Sequence, residues 1–200
     1  HLFVLSPELD REYPHPEWEA ELAVERAVQG LEELYDLGVR TVVDLTVPGL
    51  GRDVDLVRRV AGRVRVHLVA STGWYADEVL PPYFRTHGPD RLIGGPEPLE
   101  RMFRSDVLDG IGGSGVRAGM LKVVTDAPGL TPDITRVMAA AAVVHLLTVS
   151  AEADELYLLT DDAPAPAREV ATFLARELGV DLRFETEFTS VEALRGDPHP

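Results

Sequence analysis

The chain has 200 residues, 45% of them hydrophobic and 26% charged, the balance of an ordinary globular domain. Its 34 acidic residues against 19 basic ones leave a formal charge of −15, a surface that repels nucleic acid and anionic membrane. No stretch approaches the roughly 18 apolar residues of a membrane span, and the lack of cysteine excludes a disulfide framework and a thiolate metal site.

These features predict a cytoplasmic protein. The opening His1-Leu2-Phe3, without Met or a basic leader segment, does not read as a natural start, so no targeting peptide is judged from it. His1 to Leu5 reads as a short apolar strand, and Pro14 and Pro16 punctuate the loop after it. A long helix follows from about Glu17 to Leu37, with Val24, Ala27, Val28, Leu31 and Leu34 on one face and Gly38 as its stop. Val39 to Val47 is a β-branched run expected as a buried strand, and Pro48 to Gly51 a turn. Asp53 to Gly62 is a second helix and Val64 to Ala70 a third strand. The stretch from Gly73 to Pro96 reads as a long loop, of the kind that is usually functional.

Leu99 to Ile111 is a third helix ended by Gly112-Gly113, and Ala118 to Thr125 a fourth strand. Thr131 is an N-cap and Pro132 the first position of a helix that runs to about Leu147. Glu155 to Thr160 then reads as a fifth strand, Pro166 to Leu178 as a helix stopped by Gly179, and Val180 to Phe188 as a sixth strand. Such alternation predicts an α/β fold with a parallel sheet. Five or six βα units are a partial TIM (β/α)₈ barrel, since a complete one needs roughly 250 residues.

Sites in parallel α/β folds lie at the carboxyl ends of the strands. The polar residues there are Thr46 and Arg52, then Thr72, Trp74 and Tyr75, then Lys122, Thr125 and Asp126, then Thr160 to Asp162, with His1 on the first strand. Lys122 stands out, because it interrupts the otherwise apolar run Ala118 to Val124. An inward lysine in a barrel is costly unless paired or chemically altered, and with a lowered pKa it can act as a base or form an anionic carbamate. Its plain alternative is a lysine snorkelling out at a strand end.

His1 alone reads equally as a cut or tag remnant, and His67 and His145 read as structural. No H-x-H or H-E-x-x-H motif is present. Asp161-Asp162 reads as a cation site or, on the plainer view, a solvated turn. Gly110 to Gly115 precedes a strand instead of following one, which excludes a dinucleotide fingerprint. Trp74, Tyr75, Tyr83 and Phe84 either line an apolar substrate mouth or pack on one another.

Several blocks taken together resemble the phosphotriesterase family, particularly its lactonase-like branch. They are His1-Leu2-Phe3, Val42 to Asp53, Thr72-Gly73-Trp74-Tyr75 with Leu80-Pro81, Gly110-Ile111 with Gly115 to Gly119, Leu121-Lys122-Val123, and Asp126 to Thr131. The resemblance spans residues 1–148 and implies a (β/α)₈ barrel with two divalent, zinc-like metal ions. It implies that His1 is the second histidine of a ligand pair followed by Leu-Phe, and that Lys122 is the carboxylated lysine bridging the metals. It places Tyr75 near the metal centre and Trp74 beside it, shaping the pocket. The implied reaction is hydrolysis of a lactone or organophosphate ester by a metal-bridged hydroxide.

The family's other ligands are two later histidines and an aspartate, and none is found here. Where a Thr-His motif is expected the chain reads Tyr157 to Asp162. An incomplete metal site is therefore expected. Residues 149–200 form a divergent or fused tail, in which Glu155 to Pro164 and Arg168 to Ala175 are similar to nucleotide-sugar epimerase-type short-chain dehydrogenases. The dinucleotide turn and Tyr-x-x-x-Lys pair of those enzymes are missing. The alternative to a truncated hydrolase is an inactive α/β fragment or interaction module, its open sheet edges pairing with another copy of the chain as a homo-oligomer.

Overall fold

The computed structural model describes residues 1–4, 11–13, 18–76, 79–125 and 129–148. The fifth and sixth strands, the helix between them, Asp126, Asp161-Asp162 and the epimerase-like tail fall outside the described residues.

Helix α1 (Ala20–Asp36) leads into strand β1 (Thr41–Asp44). Helix α2 (Val54–Ala61) returns the chain to β2 (His67–Gly73). A short helix α3 (Pro82–Thr86), a longer α4 (Pro98–Leu108) and a 3₁₀ turn (Ile111–Gly113) precede β3 (Met120–Lys122), and α5 (Pro132–Thr148) follows. The strands form one parallel sheet in the order β1-β2-β3. Thr41 pairs with His67 and Asp44 with Ala70, then Ser71 pairs with Met120 and Gly73 with Lys122. Chain order and sheet order agree, so each helical crossover moves one strand along, as in a barrel built in sequence.

Local chemistry sets the helix ends. Asp53 caps α2, its carboxylate accepting from the Leu56 N–H, and Thr131 caps α5 by accepting from the Ile134 N–H. Gly38 follows α1 at φ 101°, as its stop position requires. Two apolar clusters cover the sheet. Phe3, Val24, Leu31, Val57, Val60 and Val66 join the amino-terminal segment to α1 and α2. Leu80, Phe84, Leu99, Phe103, Val137 and Val144 join the segment after β2 to α4 and α5. No helix among the described residues is long and apolar enough to cross a membrane.

Five expectations need correction. Residues 1–4 are not in a strand, because the Leu2 N–H donates to the Asp44 side chain and not to a neighbouring backbone carbonyl. The strand expected at 64–70 starts three residues later: the Arg65 N–H is taken by the Glu32 carboxylate on α1, and pairing begins with the His67 N–H on the Arg40 carbonyl. The strands expected at 39–47 and 118–125 are both shorter. The Thr46 N–H turns to the Asp44 carboxylate, and the Ala118 N–H donates to the Asp106 carbonyl on α4. The long stretch after Gly73 is partly built, carrying α3 and a bridge between His87 and Gly94. Arg136 of α5 pins it by donating to the carbonyls of Phe84 and His87 and pairing with Glu97.

A row of surface ion pairs ties α1 to α2 and the turn after it: Arg59 to Glu21, Arg63 to Glu25, and Arg65 to Glu32 and Asp36. Hydrogen bonds from Arg63 hold the Glu25 carboxyl below its ordinary pKa, and the Arg65 backbone N–H followed by its guanidinium does the same for Glu32. A lowered folded pKa gives stability that is present above the unfolded value and lost as pH falls through the folded one. The Glu25→Gln/Glu32→Gln variant is expected to unfold at slightly lower urea than the parent at pH 7. The gap closes as pH falls below about 4, and it also shrinks in high salt because these groups are exposed. Urea midpoints across pH and salt check this.

Candidate functional site

The carboxyl ends of the three strands converge on one polar patch. Lys122 is the last residue of β3 and half-buried, and its Nζ lies 3.3 Å from His1 Nε2. These residues are 121 positions apart in sequence, and the tertiary fold brings them together: β3 carries Lys122, while the Leu2 N–H on Asp44 and Phe3 in the apolar cluster hold the segment bearing His1. The other ring nitrogen, His1 Nδ1, lies 3.3 Å from Thr46 Oγ1. Thr46 is buried and donates its hydroxyl to Asp44 Oδ1 at 2.6 Å.

Gly73 fixes where Lys122 sits. Its φ is 136°, and a Cβ there would fall on the Lys122 carbonyl oxygen, so the two backbones approach as only glycine allows. Gly49 does the same for Tyr75: at φ 94°, a Cβ would collide with the Tyr75 carbonyl, while the Tyr75 N–H donates to the Pro48 carbonyl at 2.9 Å. Trp74, half-buried, packs edge-on against Phe84 at 4.8 Å between ring centroids. Tyr83 in turn stacks on His87 at 4.3 Å. Of the two readings of these aromatics, mutual packing accounts for Trp74, Tyr83 and Phe84.

Beside this patch, Arg52 reaches down from the turn after β1. It donates to Asp106 Oδ2 at 2.9 Å and to the Ser71 carbonyl at 3.2 Å, and Thr72 Oγ1 donates to the same Asp106 oxygen at 2.7 Å. The hydroxyls of Ser71 and Thr125 are buried with no hydrogen-bond partner. An open groove of about 490 Å³ lies between residues 1–4 and α1, lined by His1, Leu2, Trp18, Leu22, Arg26 and Leu34 among others. It shares His1 with the patch and does not include Lys122, Trp74 or Tyr75.

Sequence reasoning missed Asp44 and Asp106. The signal for Asp106 was present, since Leu99, Phe103 and Asp106 fall at i, i+4 and i+7 on the buried face of α4. Of the residues singled out earlier, His67 at the start of β2 is exposed, and His145 lies on α5.

Among the described residues no three or more His, Asp or Glu side chains converge as a metal-ligand group. His1 and Lys122 offer two nitrogen donors. Asp44, the nearest buried acid, is turned to Thr46 and the Leu2 backbone. Two donors are too few for a metal centre of ordinary coordination.

Parallel βα units in sequential order, with a polar patch at the carboxyl ends of the strands, define part of a (β/α)₈ barrel. The sequence profile of the Phosphotriesterase family matches residues 1–152, and the chain belongs to that family. It is 40% identical over 148 residues to a "Phosphotriesterase homology protein" of Mycobacterium tuberculosis, covering 74% of this chain and 45% of that protein. It is 35% identical over 145 residues to an "Aryldialkylphosphatase" of Saccharolobus solfataricus, covering 72% of this chain and 44% of that one. Among solved structures, the phosphotriesterase from Mycobacterium tuberculosis superposes with a TM-score of 0.75 at 35% identity, covering 91% of this chain and 55% of the other. The chain thus spans about half the length of the relatives it matches.

Proposed function

We propose that this chain carries the amino-terminal part of the active site of a metal-dependent hydrolase acting on lactones or organophosphate triesters. The observation that carries the reading is the approach of Lys122 Nζ to His1 Nε2 at the carboxyl end of the sheet. An aryldialkylphosphatase among the relatives supports the ester substrate class. In this reading His1 is an imidazole donor. The Lys122 amine would add to carbon dioxide, forming an N–C bond and releasing a proton, and the anionic carbamate together with His1 would hold divalent, zinc-like ions. Tyr75 stands at the substrate side, with Trp74 shaping the pocket wall from its packed position. Divalent ions, when bound, supply hydroxide at neutral pH and polarise the carbonyl or phosphoryl oxygen.

Because the donors present are too few, no catalytic step is assigned to the described residues alone: they form a half-site that needs further ligands. The end of the family match at residue 152 supports a division into a barrel part, 1–148, and a divergent or fused tail, 149–200. A cytoplasmic setting goes with the acidic, cysteine-free composition.

Zinc titration followed by calorimetry tests the half-site. The parent chain is expected to bind zinc weakly. His1→Ala and Lys122→Ala are each expected to lose on the order of 100-fold in affinity, at or beyond the upper end of the 10–100-fold typical of outer partners of a ligand. Hydrolysis of a lactone and of an aryl phosphotriester is measured alongside. Zinc binding that both substitutions leave untouched overturns the proposal.

A further inference from the structure

We infer that Thr46 and Asp44 set the tautomer and the aim of the His1 imidazole, so that its Nε2 carries the electron pair facing Lys122. The argument is proton accounting. Asp44 Oδ1 receives the Leu2 N–H at 3.2 Å and the Thr46 N–H at 3.2 Å, and a backbone N–H can only donate. An oxygen already accepting two N–H groups is not the one bearing a proton. Thr46 Oγ1, 2.6 Å from the same oxygen, is therefore the donor in that contact. A hydroxyl has a single proton, so Thr46 Oγ1 has only lone pairs left for His1 Nδ1 at 3.3 Å. Nδ1 must carry the ring hydrogen. In a neutral imidazole Nε2 is then the acceptor, and it points at Lys122 Nζ, 3.3 Å away.

The same carboxylate fixes the backbone next to the ring through Leu2, so ring and chain are aimed together. Asp44 is 5% exposed and Thr46 2%, so solvent does not compete for the bond between their side chains. Thr46 and Asp44 are positioning residues, acting through His1. The tautomer follows from the hydrogen bonds alone; only its use in binding metal rests on the proposed function.

The test is the nitrogen spectrum of the histidine ring in metal-free protein, labelled at histidine with ¹⁵N and held near pH 8.5, above the ordinary histidine range of about 6.5. His1→Gln identifies the His1 signals by their loss. The parent is expected to show a protonated, pyrrole-type Nδ1 and a bare, pyridine-type Nε2. Thr46→Val, which removes the hydroxyl at nearly constant shape, is expected to shift both signals toward a mixture of tautomers, and Thr46→Ser to restore the parent pattern. A parent spectrum with the hydrogen on Nε2, or a Thr46→Val spectrum identical to the parent's, overturns the inference. The parent spectrum decides even if Thr46→Val does not fold. Zinc titration separates the two readings. A correct tautomer with no zinc binding removes the metal role and leaves the relay standing. Zinc binding with the wrong tautomer removes only the relay. If both hold, Thr46→Val weakens zinc affinity by about 10–100-fold and Thr46→Ser recovers it.

Discussion

Gly73→Ala is expected to destabilise the fold by about 2–6 kcal/mol and to separate Lys122 from His1. Gly73 ends β2 at φ 136°, in register with Lys122, and the space a methyl group would take is filled by the Lys122 carbonyl. Backbone strain at such a φ costs about 1–3 kcal/mol for a residue with a side chain. Overpacking adds about 1–3 kcal/mol, and here the obstructing atoms are backbone, so relief comes only by moving a strand. The strand that moves is the one carrying Lys122, and zinc affinity should fall with stability. Gly30→Ala is the control. Gly30 lies within α1 and a Cβ there meets nothing within 4 Å, so alanine is expected to stabilise by about 0.5–1 kcal/mol. Urea denaturation of the two variants gives opposite signs. A Gly73→Ala protein as stable as the parent contradicts the close approach of β2 and β3.

The helices were legible because each has a local signature: the spaced apolar face of α1, Asp53 before α2, and Thr131-Pro132 before α5. Strand ends were less so, since what ends a strand here is a distant partner. The Arg65 N–H is diverted by Glu32, 33 residues earlier, and the Leu2 N–H by Asp44, 42 residues later. Ser71 to Gly73 fall beyond the strand end expected at Ala70, with Gly73 of low strand propensity, yet pairing with Met120 to Lys122 holds them in the sheet. In the site, Lys122 was visible as a lone cation in an apolar run. His1 was visible only through the family resemblance, because one histidine carries no spacing. Asp44 carried no signal of its own inside the run from Val39 to Val47. Its role appears only once residues 2 and 46 are seen to share one of its oxygens.

Asp106→Ala is expected to cost about 3–5 kcal/mol, the range for breaking a buried ion pair from one side. The Arg52 and Asp106 side chains are 12% and 6% exposed, which sets them apart from the surface pairs along α1. Removing the carboxylate leaves a guanidinium buried with only the Ser71 carbonyl, and leaves the Thr72 hydroxyl without its acceptor. At about 2–4 °C per kcal/mol for a chain of this size, the melting temperature should drop by roughly 10 °C. Arg52→Met combined with Asp106→Leu should recover most of the loss, because two apolar side chains leave no unpaired charge. This pair also has a consequence at the site. Ser71 and Thr72 directly precede Gly73, Trp74 and Tyr75, so the network anchors the strand end that pairs with Lys122 and leads into the two aromatic residues. Asp106→Ala should therefore weaken zinc binding as well, while the apolar double variant should restore stability more fully than affinity, since it lacks the bonds to Ser71 and Thr72. A loss below about 1 kcal/mol for Asp106→Ala would place the pair among weak, screened surface contacts.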